Sequence, residues 1–354
     1  MKNLLFNLCF VFLWLLHSPP TWGQLTEDSK QYQGVSELFR SNQILPIKLE
    51  YSNLDINKKT NDSTYLKTNL SYKVSDDSWK TFELKMRARG NFRRAKCYYK
   101  PLKVKIKKSE YKNTLFDKNK SLKIVLPCFK KKGNNDNVII EYMAYRIYEI
   151  LSPYGFKTRL LEVDYTEIKR KKTYRHQLKG IIIEDVKKVA KRYDGRVYER
   201  FIHPLNLDNL TSTQVDLFQF MISNTDYSSG YQHNGKIIYV DKKMIPIPYD
   251  FDMSGLVNTS YSTVSLVQNE KLEITDVTQR LYRGFKRDEK YLYQVRKEFI
   301  AKQVEVFEHI NSLETLFENP KKFTKAKEFI STFYRILQND ERFKKEIVDM
   351  ARTQ

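Results

Sequence analysis

From Leu45 onward apolar and polar positions alternate. Ile47, Leu49 and Tyr51 are separated by Lys48 and Glu50, the period of two that a strand shows when one face meets a core and the other meets water. The alternation returns over residues 68–74 and 81–88. It returns again at Leu102, Val104 and Ile106, which are spaced by Lys103 and Lys105. Polar residues 57–63 read as a turn between the first two strands. A basic loop over residues 130–137 follows, with Asp136 placed to cap a helix whose apolar stripe is Ile140, Ala144, Ile147 and Leu151, ended by Pro153. Residues 159–165 and 178–184 predict two more strands. Beyond Glu184 the pattern turns helical. Thr211 or Ser212 can cap a helix through Ile222, residues 236–240 and 244–247 suggest a small hairpin, and from Lys286 helix runs to the end with Pro320 as its break. The expected fold is therefore α+β and two-lobed: an antiparallel-sheet N-lobe with one helix over residues 24–183, and a mainly helical C-lobe over residues 184–354.

The first residues do not fit that scheme. Lys2 is the only charged residue among the first 23, and residues 4–16 form a run of 13 mostly apolar positions, too short to span a bilayer comfortably. The helix breakers Pro19 and Pro20, and small residues ahead of Gln24, give the layout of a signal peptide over residues 1–23. Cys9 lies inside the apolar run, away from the cut. The reading is an exported protein (periplasmic or extracellular) with no transmembrane segment. Export changes the meaning of the remaining Cys97 and Cys128, which pair most simply as one disulfide, with two free thiols as the alternative. It also changes the meaning of the charge. Lys and Arg number 63 against 42 Asp and Glu, a net +21 that becomes +20 once Lys2 is removed. Such an excess calls for an anionic partner. Export argues against nucleic acid and leaves an acidic polymer as a candidate.

One constellation carries chemistry. Ser223-Asn224-Thr225-Asp226 ends a capped helix, Gln232-His233-Asn234 follows, and after a hairpin comes Tyr249-Asp250-Phe251-Asp252. Phosphoryl transfer needs these parts in this order: Asp226 to orient an attacking hydroxyl, then Asn234 and Asp250 or Asp252 as hard oxygen ligands for Mg²⁺. Taken singly, each of these residues is also an ordinary turn former. A second cluster, Arg87-Ala88-Arg89-Gly90-Asn91-Phe92-Arg93-Arg94, lies between strands and could fold over a triphosphate, its guanidinium forks matching phosphate oxygens. Lys103 or Lys105 would hold phosphates with a helix carboxylate such as Glu141. A solvated basic hairpin is the plain alternative. The five histidines show no zinc spacing, and no Gly-x-Ser-x-Gly elbow occurs.

At these residues the chain resembles the CotH family of spore-coat kinases, atypical secreted kinases with a reduced protein-kinase fold, and is most similar to their uncharacterised exported bacterial branch. The resemblance spans about residues 82–285. It rests on Arg87-Ala88-Arg89-Gly90-Asn91, Lys100-Pro101-Leu102-Lys103, Glu141-Tyr142, Gly180 to Asp185, Asn224-Thr225-Asp226, Pro246 to Asp252 and Arg280-Leu281-Tyr282-Arg283-Gly284. It implies ATP with Mg²⁺ or Mn²⁺ as cofactors, Asp226 as catalytic aspartate and Asp250 or Asp252 as metal aspartate. It also implies adenine against the backbone around Glu184, and the Lys103–Glu141 pair at the phosphates. The acceptor would be a hydroxyl, expected on a protein. The chain departs from the pattern in the eight residues from Asp226 to Asn234, against about five in protein kinases. A nucleotide- or polyanion-binding module without turnover is the rival expectation.

Overall fold

The computed structural model describes residues 34–267 and 270–353, so the expected leader over residues 1–23 and Cys9 lie outside the described residues. From Gly34 the chain makes one compact unit. Seven strands form a closed barrel in the order β1-β2-β3-β4-β5-β7-β6: β1 (Leu45–Tyr51), β2 (Leu66–Ser75), β3 (Ser78–Ala88), β4 (Leu102–Ile106), β5 (Ser121–Val125), β6 (Thr158–Lys169) and β7 (Lys172–Ile183). Ile47, Leu49, Leu84, Met86, Val104 and Leu122 are buried at alternate positions, which is the periodicity that marks them as strands. Closure comes from a parallel pairing of β1 with β6, from Leu45 opposite Leu161 to Tyr51 opposite Glu167.

This overturns the expected fold. The first half is a closed mixed barrel and not an open antiparallel lobe, and the second half is not a mainly helical lobe. The alternating pattern identifies strands with one buried face, and it says nothing of which distant strand each edge will meet. β1 and β6 are joined by more than a hundred residues, and their pairing closes the sheet and leaves it no free edge.

The outer face of the barrel supplies the second core. Val125, Leu160, Ile181 and Ile183 cluster with Val138, Ile139 and Ile147 of the long helix. The cluster continues into residues of the later helices, among them Phe218, Phe299 and Phe333. In chain order the α-helices of five or more residues are α1 (Asn53–Lys59), α2 (Phe92–Lys96), α3 (Asn134–Leu151), α4 (Val186–Arg192), α5 (Asn209–Met221), α6 (Lys290–Ala301), α7 (Gln303–Ser312) and α8 (Pro320–Leu337). A three-stranded sheet of β8 (Arg196–Tyr198), β9 (Gly235–Val240) and β10 (Lys243–Pro248) lies in the second half. The turn between β9 and β10 places Asp241 at φ 46° and Lys242 at φ 63°, the left-handed pair that matches strand twist in a two-residue hairpin. Among the described residues no helix is long and apolar enough to cross a membrane.

Three local expectations shift. Part of the expected 57–63 turn is helical, since α1 runs to Lys59 and is capped by Ser52, whose hydroxyl accepts from the Asp55 N–H at 3.2 Å. Helix α3 starts after Gly133 (φ 80°), and Asp136 is spent elsewhere, accepting from the Glu318 N–H at 2.8 Å. Asp208, not Thr211 or Ser212, caps α5 through the Thr211 N–H at 3.0 Å. Cys97, which closes α2, and Cys128, which follows β5, form a disulfide.

Candidate functional site

Helix α5 delivers its C-terminal loop into the site. Ser223 adopts φ 50°, and its N–H donates to the Phe220 carbonyl at 3.1 Å as the chain leaves the helix. Gly255 fits against this loop because a Cβ there would lie 2.2 Å from the Val277 carbonyl and 2.9 Å from the Ser223 side chain. Its N–H donates to the Ser223 carbonyl at 2.9 Å. Arg283, buried, donates to the Thr225 carbonyl, and Arg280 donates to the Met221 carbonyl at 3.2 Å. The Arg280 and Arg283 of the motif noted in the sequence therefore clamp the loop that carries Asp226.

Asp226 is held from several sides. His233 Nε2 lies 3.0 Å from its Oδ1, the Asn234 amide donates to its Oδ2 at 2.8 Å and its carbonyl at 2.7 Å, and the Ser265 hydroxyl donates at 3.2 Å. Burial works to raise this carboxyl, but the His233 bond and charge, with Ser265 and Asn234, hold it below the usual carboxylate range. The partner effect is reciprocal: the Asp226 bond raises His233. Asp226 is thus an ionised acceptor at neutral pH, suited to orienting a hydroxyl more than to storing a proton.

The second acidic loop leaves β10. Phe251 anchors it, fully buried between Tyr145 and Phe218 at ring-centroid distances of 4.6 and 5.3 Å. Asp250 is left-handed at φ 67°, its N–H donating to the Tyr145 hydroxyl at 2.9 Å. Asn234, at φ 47°, shares that unusual backbone state. Non-glycine residues pay about 1 kcal/mol or more for it, and such strain gathers at functional sites. The Asp250 charge acts on His233 on one side, on Lys123 on another, and on Glu141 and Asp252 below. Among the described residues its carboxylate accepts no hydrogen bond.

Asp252 turns inward. The Tyr261 hydroxyl donates to it at 2.8 Å, and Arg93 Nε lies 3.7 Å away. Arg93 also approaches Glu141 at 3.5 Å and donates to the Leu126 carbonyl at 2.6 Å. Burial, against the pull of Arg93, raises Asp252 to about 6 and Glu141 well above its ordinary value. Arg93 Nε and Nη1 and Glu141 Oε1 are buried without hydrogen-bond partners among the described residues. One guanidinium between two carboxylates that resist ionising together is a strut whose protonation is set from within.

The basic side of the site comes from the barrel's outer face. In one cross-strand row Arg87 of β3 opposes Lys103 of β4, Lys103 opposes Lys123 of β5, and Lys123 opposes Ile183 of β7. Lys123 Nζ rests 4.5 Å from the Tyr249 ring centroid and 4.9 Å from that of Phe156. Burial, with the charge of Arg89 next, lowers its ammonium to about 7.

The geometry sorts the sequence candidates. Asp226 and Asn234 are bonded to each other, and the charge of Asp250 reaches His233 and Asp252. Glu141 is paired with Arg93 and not with Lys103. Arg93 is buried in that pairing, whereas Arg89 stays within electrostatic reach of Lys123, Glu141 and Tyr249. Glu184 takes a two-pronged contact from Arg192 at 2.7 and 3.0 Å and accepts from the Lys157 N–H at 2.6 Å, while its own N–H donates to the Lys157 carbonyl at 3.2 Å. Neither its side chain nor its N–H is left over for an adenine. Sequence reasoning passed over Lys123, whose one signal was a lone lysine in the apolar run Leu122 to Leu126. It also assigned no role to His233, Tyr145 or Ser265.

Asp250 and Asn234 are the residues that could take part in holding a divalent cation. Among the described residues no three His, Cys, Asp or Glu side chains gather closely enough to hold a metal by themselves. Mg²⁺ is commonly held by one or two protein oxygens completed by phosphates and water. The unbonded Asp250 carboxylate and the Asn234 carbonyl oxygen meet that lesser demand. Two small cavities beside the site, one against His233 and Asn234 and one against Arg93 and Asp252, hold about 10 Å³ each, roughly one water apiece. Compared with protein-family models, curated proteins and solved structures, the chain matches none.

Proposed function

We propose that the protein is an exported phosphotransferase that moves the γ-phosphoryl group of ATP to a hydroxyl, with the acceptor on a protein. The observation that carries this reading is Asp226, bonded by His233 and Asn234, beside a free Asp250 carboxylate whose charge reaches both His233 and Lys123. The cations would hold phosphate oxygens, and Asp226, kept ionised by His233 and Asn234, would accept a hydrogen bond from the attacking hydroxyl and orient it. Asp250 and the Asn234 carbonyl would hold Mg²⁺ or Mn²⁺, which when bound neutralises charge between phosphates. The Arg93–Glu141–Asp252 strut would fix the relation between the barrel wall and the Asp250 loop. The Cys97–Cys128 bond supports an oxidising compartment, in line with the leader.

Incubating the protein with γ-labelled ATP and Mn²⁺ should transfer label to a protein acceptor, and Asp226→Asn should lower the rate roughly 10²–10⁴-fold, the usual worth of a positioned acid or base, with only a modest fall in melting temperature from loss of the favoured carboxylate. ATP that binds with metal while no label moves would point instead to a nucleotide-binding module without turnover.

A further inference from the structure

A cavity far larger than the two beside the carboxylates lies elsewhere. It has a volume of about 820 Å³ and lies where β6 and β7 turn, between that hairpin, α1 and the chain around Cys97. This is the size of a small-ligand pocket. Lys100 lines it and is only 6% exposed. Among the described residues no carboxylate or other acceptor lies within bonding distance of its ammonium. Burial, then the charge of Arg94, lowers it. Lys100 thus presents an unpaired ammonium to the cavity, where an anionic group can meet it.

The rim repeats the signal independently. Lys169-Arg170-Lys171-Lys172 form the exposed hairpin tip, with Lys169 directly opposite Lys172, a like-charge cross-strand pair that weakens a hairpin. Glu167, the acid lining the cavity, is already spent on Lys130 at 3.2 Å, on His176 at 3.1 Å and on the Tyr98 hydroxyl. Beside the cations stand the hydroxyl and amide side chains of Ser52 and Asn57 and the 45% exposed ring of Tyr174. Hydroxyl and amide partners, an open aromatic face and a cluster of cations together suit a sugar ring that bears anionic groups.

We infer that this groove is a binding site for an anionic oligosaccharide, with Lys100 taking a sulfate or carboxylate at the floor and the 169–172 tip taking further anionic groups at the rim. The site is independent of the phosphotransferase reading and needs no nucleotide. Titration calorimetry of the full chain with a sulfated tetrasaccharide, its desulfated counterpart and a hexaglutamate peptide tests it. The sulfated sugar should bind at least tenfold more tightly than either alternative. Lys100→Met should weaken it at least tenfold, with an unliganded melting temperature close to that of the native chain. The double variant Arg170→Gln, Lys171→Gln leaves the floor intact and should weaken binding and reduce its dependence on salt. Equal binding of hexaglutamate would make this an acidic-peptide site and overturn the assignment. Undiminished binding by Lys100→Met, or by the rim variant should Lys100→Met fail to fold, would reduce the groove to unspecific surface charge and overturn it as well.

Discussion

A lysine in water keeps its proton to beyond about pH 10, yet Lys123 gives its proton up near 7. Two consequences follow from the sign of that shift. Between about 7 and the ordinary lysine value of 10.5 the unfolded chain binds a proton that the folded chain does not. Stability contributed by this residue therefore rises with pH across that window. A polyphosphate placed against it reverses the preference, because a nearby anion favours the charged form. ATP binding at pH 8 should accordingly take up close to one proton per site. Calorimetry in two buffers of different ionisation enthalpy measures that uptake directly, and Lys123→Met should remove it. Uptake that persists in Lys123→Met would mean that the phosphates meet some other group, and the basic wall of the site would have to be placed elsewhere.

At the scale of elements, the short helix α2 matters beyond its five residues, since it carries Arg93 into the strut. Its end is fastened by the bond from Cys97 to Cys128, and the adjacent Tyr98 N–H donates to the Cys128 carbonyl at 2.8 Å. The bond closes a loop with a sequence separation of 31, for which the chain-entropy argument gives roughly 3–4 kcal/mol. Replacing both cysteines with alanine should lower unfolding free energy by about that amount in denaturant titrations. A loss below about 1 kcal/mol would show that packing alone holds α2. The same element shows where the sequence stopped being legible. Residues 87–94 read as a basic turn because their spacing has no period long enough to mark a one-turn helix, so Glu141 was matched to a strand lysine. Lys103 and Lys123 stand opposite each other in register, and alternation cannot say which of them a loop from elsewhere will cover. The helix end before Asp226 and the hairpin before Asp250 were legible because turn chemistry is written in nearby residues. The parallel closure of β1 on β6 was not, because it depends on shape complementarity between segments far apart in the chain.

For the molecule as a whole, what decides behaviour is how its parts share apolar surface. Val125, Ile181 and Ile183 on the barrel wall, the buried stripe of α3, and residues of α5, α6 and α8 belong to one cluster. A chain cut after Glu184 would keep α3 against the barrel but expose its side chains that pack on the later elements, such as Tyr148 on Phe218 and Tyr145 on Phe251. At about 25 cal/mol per Å² of apolar surface, each large side chain so exposed costs roughly 1.5–3 kcal/mol. That comparison allows a whole-molecule prediction. Scanning calorimetry of the chain should show a single transition with calorimetric and van't Hoff enthalpies in agreement, and a fragment ending at Glu184 should fail to give a cooperative melt. Independently folding halves would instead give two transitions and a stable fragment, and the shared cluster could then not be the core that unites the barrel with the helices. The difference bears on function, because the Arg93 strut spans this same junction. If the junction melts only with the whole, the spacing of Lys123 and Arg89 from Asp250 is set by the fold itself, and ligand binding should raise the one transition temperature without splitting it.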